Sequence, residues 1–109
     1  MANLRGFPVL ATVTRVAASA TTVQLLAANS NRQAVTIVNN SASQKLYVKL
    51  GTTASLTAGS EDFSLILQAE GSLTLEGTDY TGRIDGIWGG ADASGEALIT
   101  ETTMQTASL

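Results

Sequence analysis

The chain has 109 residues and a formal net charge of −3, with 14% charged and 44% hydrophobic residues. Because domains usually contain roughly 100–200 residues, this length predicts one domain with a single modest core. The absence of cysteine and histidine excludes disulfides and the thiolate and imidazole ligands that zinc, copper and haem sites use.

The first residues give no sign of a targeting segment. Residues 1–8 contain one arginine and no apolar run of the length that a signal peptide needs. No stretch of the sequence approaches the ~18 consecutive apolar residues of a transmembrane helix. We therefore expect a soluble protein that is made in a cytoplasm and has no membrane partner.

Charge is divided unevenly along the chain. The segment through Ser60 has five basic and no acidic residues, whereas the remainder has nine acidic residues and Arg83, which gives +5 and −8. One interpretation is that early strands lie beside late strands, so that opposite charges meet across a sheet. The other is that the two surfaces attract each other between copies, or dock on an oppositely charged lattice. The dispersed basic residues form no dense patch, which disfavours a nucleic-acid partner.

In chain order, alternating apolar and polar residues predict short strands separated by turns rich in Asn, Ser and Gly. Asn39, Asn40 and Ser41 are expected to form one of these turns, and residues 51–60 a polar loop. Within the fourth strand, Leu46 and Val48 should point inward. The expected strands are residues 9–16, 22–26, 33–38, 45–50, 63–67, 73–75, 84–88 and 97–102.

This pattern of about eight short strands, without a helical stripe, predicts an all-β fold. The architecture expected is a single compact antiparallel β-sandwich or a jelly-roll-like barrel. We assign residues 9–103 to the sandwich domain, residues 1–8 to an N-terminal arm and residues 104–109 to a C-terminal tail.

Residues 80–90 contain Tyr80, Arg83, four glycines and the only tryptophan, Trp88. Aromatic side chains bury large rigid surfaces, so this segment predicts a strand that packs against a core or a partner. Trp88 fits a core or subunit contact better than a ligand platform. Asp85-Gly86 suggests either a two-residue hairpin or a bulge within one strand.

No group of residues predicts catalysis, a cofactor or a metal site. Without histidine, nucleophilic catalysis would need a Ser–Lys pair or a carboxylate base, and Lys45 and Lys49 are expected on a solvated strand face. Asp79, Asp85 and Asp92 are placed for capping turns, which is favoured over a calcium site or a glycosidase pair. We therefore expect this chain to act by binding to other surfaces and not to be an enzyme. The candidate interface residues are Tyr47, Lys45, Lys49, Tyr80, Arg83, Trp88, Arg5 and Phe7.

A series of motifs between residues 9 and 102 resembles small virion proteins of tailed bacteriophages and prophages. The motifs occur in the order VT at 13–14, VQLL at 23–26, VTIVNNS at 35–41, LYVKLG at 46–51, YTGRIDGIW at 80–88 and ALITE at 97–101. The chain departs from that pattern at residues 56–61, where the loop is longer and more acidic.

The resemblance implies a structural protein of the virion, assembled in the host bacterial cytoplasm, without cofactors or catalytic residues. The leading expectation is a capsid decoration (cement) or head-fibre protein that binds the outside of the head shell. Its expected partners are the major capsid protein or another virion protein, and further copies of itself, with a homotrimer favoured. The alternative is a tail-fibre, collar or neck-associated module that contacts a host receptor or another tail protein.

Overall fold

Eight β-strands form at the places where the alternating pattern predicts them. The computed structural model describes residues 9–76 and 79–104, and no helix occurs in those ranges. The expected arm, residues 105–109 of the expected tail, and the candidates Arg5 and Phe7 lie outside the described residues. The strands are β1 (Val9–Ala17), β2 (Val23–Leu26), β3 (Arg32–Asn40), β4 (Leu46–Leu50), β5 (Leu65–Leu67), β6 (Ser72–Glu76), β7 (Ile84–Trp88) and β8 (Glu96–Met104).

The strands pair in a nested order that makes two four-stranded antiparallel sheets. Sheet 1 has the order β1-β8-β3-β6, and sheet 2 has the order β2-β7-β4-β5. The first strand thus pairs with the last, the second with the seventh, the third with the sixth and the fourth with the fifth. This is the strand order of a jelly roll, so the predicted all-β sandwich is confirmed.

The core lies between the two sheets and consists of alternate residues from their facing sides. Leu46 and Val48 point inward from β4, as predicted, and Gly86 faces the same layer from β7. A Cβ atom at Gly86 would lie 2.8 Å from Leu25 Cδ1, so this position has no room for a side chain. The core cluster comprises Leu25, Val35, Ile37, Leu46, Val48, Leu67, Ile84, Trp88, Ala97 and Ile99.

Trp88 is fully buried and is joined to sheet 1 by a hydrogen bond. Its indole Nε1–H donates to Asn39 Oδ1 at 2.9 Å, and Asn39 is itself completely buried at the end of β3. Asn39 Nδ2 donates to the carbonyl oxygens of Gln44, Leu67 and Gln68 at 2.8, 3.3 and 3.1 Å. The expectation of a turn at 39–41 was therefore wrong for Asn39 and Asn40, because this network holds the chain in β3.

Opposite charges from the two parts of the chain meet within the fold. Arg15 of β1 binds Glu96 at 2.5 Å, and buried Arg32 of β3 binds Glu101 through Nε at 2.9 Å. Both acids belong to β8, which lies between β1 and β3. For these two pairs, opposite charges meet across the sheet, as the first interpretation predicted.

Arg32 also connects two loops to sheet 1 through hydrogen bonds. Its guanidinium donates to the carbonyl oxygen of Ala27 at 2.7 Å and to that of Gly82 at 3.1 Å. A buried guanidinium is tolerated only when its donors find partners, and these carbonyls supply them alongside Glu101.

The loop that connects β4 to β5 folds over the outer side of sheet 2. Thr53 N–H donates to Asp85 Oδ2 at 2.6 Å, and Ala54 N–H donates to Thr22 Oγ1 at 3.0 Å. As a result Asp85 is only 1% exposed although its side chain points away from the core. Asp85 and Gly86 lie inside β7, so the hairpin interpretation was wrong; the irregular register lies opposite them, between Gln24 and Leu26.

We predict that Trp88→Ala lowers the free energy of unfolding by about 3–5 kcal/mol, because it leaves a large cavity and removes the hydrogen bond to Asn39. Denaturant unfolding measures this difference. Ile66→Ala is the matched control, since Ile66 is 42% exposed, and its unfolding free energy should change by about 0.5 kcal/mol or less. An unchanged transition midpoint for Trp88→Ala would contradict the buried position of the indole.

Candidate interaction surface

The outward side chains of β4 form one surface with β5 and the end of the covering loop. Tyr47 contacts Phe63 in an edge-to-face arrangement, with ring centroids 4.9 Å apart and planes inclined at 64°. In the strand register Tyr47 lies opposite Ile66, which is exposed. We call Lys45, Tyr47, Lys49, Phe63 and Ile66 the β4 surface. It combines a small apolar centre with two cations at its margin.

Arg83 is brought close to this surface by Asp85. Lys49 lies opposite Asp85 in the β4–β7 register, and Arg83 Nε donates to Asp85 Oδ1 at 2.7 Å. Hydrogen bonding and charge attraction from Asp85 raise the pKa of the Arg83 guanidinium, so it stays charged. Lys49 Nζ binds Asp62 in the covering loop. Lys45 directly precedes β4 and is exposed, as predicted.

Two other candidates from the sequence lie elsewhere. Tyr80 is half-buried against the core cluster, and its hydroxyl donates to the carbonyl oxygen of Arg83 at 2.7 Å. Trp88 has no exposed surface, so the prediction that it packs in a core is confirmed and its inclusion among the interface candidates was wrong. The large indole packs in the core and does not contact a partner.

A second surface, which the interface prediction missed, lies on β1. Leu10 is 50% exposed and Val13 is 61% exposed, on opposite faces of the same strand. Among the described strands β1 pairs only with β8, and it forms one edge of sheet 1. We call this strand and its free side the β1 edge. The signal in the sequence was the presence of apolar residues on both faces of a strand that contains no acidic residue.

Asp79 and Asp92 cap turns, as predicted, whereas the same prediction was wrong for Asp85, which lies inside β7. Asp79 Oδ2 accepts a hydrogen bond from Glu76 N–H at 3.2 Å, and Asp92 Oδ1 accepts one from Ser94 N–H at 3.2 Å. Asp92 Oδ2 also accepts the hydroxyl proton of buried Ser41 at 2.6 Å. These bonds, the Ser41 bond first, lower the pKa of the Asp92 carboxyl. Within residues 9–76 and 79–104, no group of three potential ligands is placed to hold a metal ion.

Comparisons with protein-family models, with curated proteins and with solved structures found no match to this chain. In the described ranges, no helical segment has the length and hydropathy required to span a bilayer.

We predict that Asp92 makes stability depend on pH in the acid range. Because folding lowers its pKa, the stabilisation that it provides is present above the unfolded-state pKa and is lost as pH falls through the folded-state pKa. Below about pH 4, the melting temperature of the wild type should therefore fall more steeply than that of Asp92→Asn.

Thermal melts of both proteins from neutral to acid pH, at constant ionic strength, measure this effect. The other carboxyl groups titrate in both proteins, so the difference between the two curves isolates Asp92. Parallel curves over the whole range would show that the Ser41–Asp92 bond does not contribute to acid sensitivity.

Proposed function

We propose that this chain is a structural virion protein of a tailed bacteriophage, and that it binds the outside of the head shell as a capsid decoration (cement) or head-fibre protein. It acts by contact and has no enzymatic activity. The motifs in residues 9–102 that resemble small phage virion proteins suggest this class of protein.

The observation that carries the proposal is the presence of contact surfaces on a small jelly roll whose buried polar side chains, within the described residues, all have hydrogen-bond partners. The β4 surface and the β1 edge expose apolar side chains, including Ile66, Leu10 and Val13. By contrast, Asp85 and Asp92 are occupied by loop and turn bonds. Jelly rolls recur in viral capsid proteins, which supports the proposal by analogy of fold alone.

The β4 surface is suited to a shell that presents acidic and apolar groups. Lys45 would steer the protein toward negative charge, with a smaller contribution from Lys49, which is paired with Asp62, and Tyr47, Phe63 and Ile66 would be buried on contact. The major capsid protein, or another virion protein, is the proposed partner. The chain would reach it after synthesis in the bacterial cytoplasm, where a cysteine-free protein needs no oxidation.

We further propose that the protein attaches as a homo-oligomer, with a trimer matching the local three-fold positions of a shell. Binding between copies and to the shell favours only the folded form, and it therefore raises the apparent stability of both partners. This linkage is the physical basis of a cement role.

Copy number and particle stability test the proposal. In purified virions of the phage that encodes this chain, its copy number should be comparable with that of the major capsid protein. Particles assembled without it should be less resistant to heat and osmotic shock, and added purified protein should restore resistance. Particles that resist both treatments equally with and without the protein would overturn the cement role.

A second candidate is a tail-fibre, collar or neck-associated module that contacts a host receptor or another tail protein. The Tyr47–Phe63 pair favours it, because half-buried aromatic rings beside polar groups are common contact residues. A copy number in virions comparable with that of tail-fibre proteins would select this alternative over the head.

We predict that charge reversal at both Lys45 and Lys49 weakens attachment to the shell, and that the loss is greater at low salt than at high salt. Salt screens exposed charges over a Debye length of about 10 Å at 0.1 M ionic strength, so the contribution of the lysines should shrink as salt is added. Sedimentation of the protein with empty shells measures attachment. The double substitution of these lysines by arginine, which conserves charge, is the control, and a loss independent of salt would contradict steering by this surface.

A further inference from the structure

Within the described residues, the free side of β1 carries few of the features that prevent one strand from pairing with another molecule: its one charged residue is Arg15, and in the sequence Pro8 precedes the strand. β1 is nine residues long, whereas the other edge strands β6, β2 and β5 have five, four and three residues. Proteins usually protect an edge with a short strand, a lysine, a proline or a bulge. From Leu10 to Ala17 there is neither proline nor lysine, and the pairing of β1 with β8 has no register shift.

The backbone geometry defines which residues face this free side. Ala18 N–H donates to the Gly95 carbonyl at 3.0 Å, and the unbroken register continues the same alternation into β1. Even-numbered residues of β1 therefore bond to β8. The N–H and C=O groups of odd-numbered residues, including Ala11, Val13 and Arg15, point to the free side.

A second β1 strand fits this edge best when it runs antiparallel with Val13 opposite Val13. In that register every odd-numbered residue meets another odd-numbered residue, so both strands can exchange their free N–H and C=O groups along the full strand. Ala11 meets Arg15, which is the only charged residue of β1, so no like charges are placed opposite each other. A register that placed Arg15 opposite Arg15 would pair fewer residues of the two strands and would set two positive charges against each other.

The side chains are also self-complementary in this register. On one face the exposed Val13 residues of the two copies meet directly. On the other face, Leu10 of one copy lies opposite Val16 of the second, and Val16 packs against the core cluster. The exposed Leu10 thereby extends the neighbour's core, while Thr12 meets Thr14 between them. Pairing therefore covers Leu10 and Val13, the two exposed large apolar residues of the β1 edge.

We infer that the β1 edge is a docking surface for a second copy of this chain. The two β1 strands pair antiparallel about a two-fold axis at Val13, and sheet 1 of one copy thereby continues into sheet 1 of the other as one eight-stranded sheet. The inference is independent of the proposed virion role. Pairing of this kind is compatible with the proposed trimer, because a two-fold contact would connect copies that belong to neighbouring trimers.

Solution mass and a charge-swap experiment test this contact. Light scattering after size exclusion should give a dimer of the purified full chain, or a hexamer if the trimer also forms. Val13→Lys and Val13→Glu should each weaken the two-fold association by at least about tenfold, because each places like charges directly opposite at the axis. Mixing the two variants should restore it, since lysine then meets glutamate.

Ile66→Lys is the matched control, because Ile66 is another exposed apolar residue on an edge strand and lies in sheet 2. Its two-fold association should equal that of the wild type, and circular dichroism should show that all variants are folded. In a second measurement that needs no variant, exchange of the Val13 amide proton should slow as protein concentration rises.

A monomer or a trimer at high concentration would overturn the inference, as would Val13 variants that associate normally or a mixture that does not recover. An effect of Ile66→Lys equal to that of Val13→Lys would also overturn it. None of these outcomes bears on copy number in virions, so failure of the two-fold contact is distinguishable from failure of the proposed function.

Discussion

The hydrogen bond between Trp88 Nε1 and Asn39 Oδ1 connects the two sheets where β7 and β3 end. The indole fills the core from sheet 2, and the carboxamide that receives its proton belongs to sheet 1. The same carboxamide donates to carbonyl oxygens in the β3–β4 and β5–β6 connections. Two sheets and two loops are therefore held in one relative position by a buried network whose side-chain members all find partners, which favours a unique packing.

The two sheets differ in how much of their surface is covered by other parts of the chain. Sheet 2 has short strands, and its outer side is partly covered by the β4–β5 loop, which Asp85 and Thr22 anchor. Sheet 1 has three nine-residue strands, and its strand β1 remains accessible on both faces and along one side. A loop that buries one sheet and a bare edge on the other give the molecule two distinct contact areas. The two proposed contacts, with a shell and with a second copy, would therefore use different parts of the molecule.

The positions and facing of the strands follow from local sequence patterns, whereas the burial of several polar residues depends on residues far away in the sequence. The alternation of residues 45–50 predicted which side chains of β4 face the core, because side-chain direction in a strand follows from its period of two. The burial of Asn39 and Asp85 was not predictable in this way. Each polar residue lies in a segment rich in turn signals, and each is buried because residues far away in sequence, Trp88 and Thr53, supply hydrogen bonds.

The candidate surface shows the same division. Tyr47 and Lys49 lie on the outward side of β4 as expected, whereas Trp88 lies in the core, where its indole Nε1–H donates to Asn39. The accessibility of Val13 depends on which strand lies at the sheet edge. That property belongs to the pairing order and cannot be read from β1 itself.

The position of β8 between β1 and β3 has a consequence for how the protein is made. β8 is the last of the eight strands in the chain, yet it supplies the central pairing of sheet 1. During synthesis, β1 and β3 cannot be joined in sheet 1 until residues 96–104, which form β8 between them, have been made. The jelly roll therefore closes in a late, long-range step, and topologies of this kind fold slowly. Until the sheet closes, the apolar residues of β1 are unpaired, and exposed apolar strands of this kind are prone to aggregation.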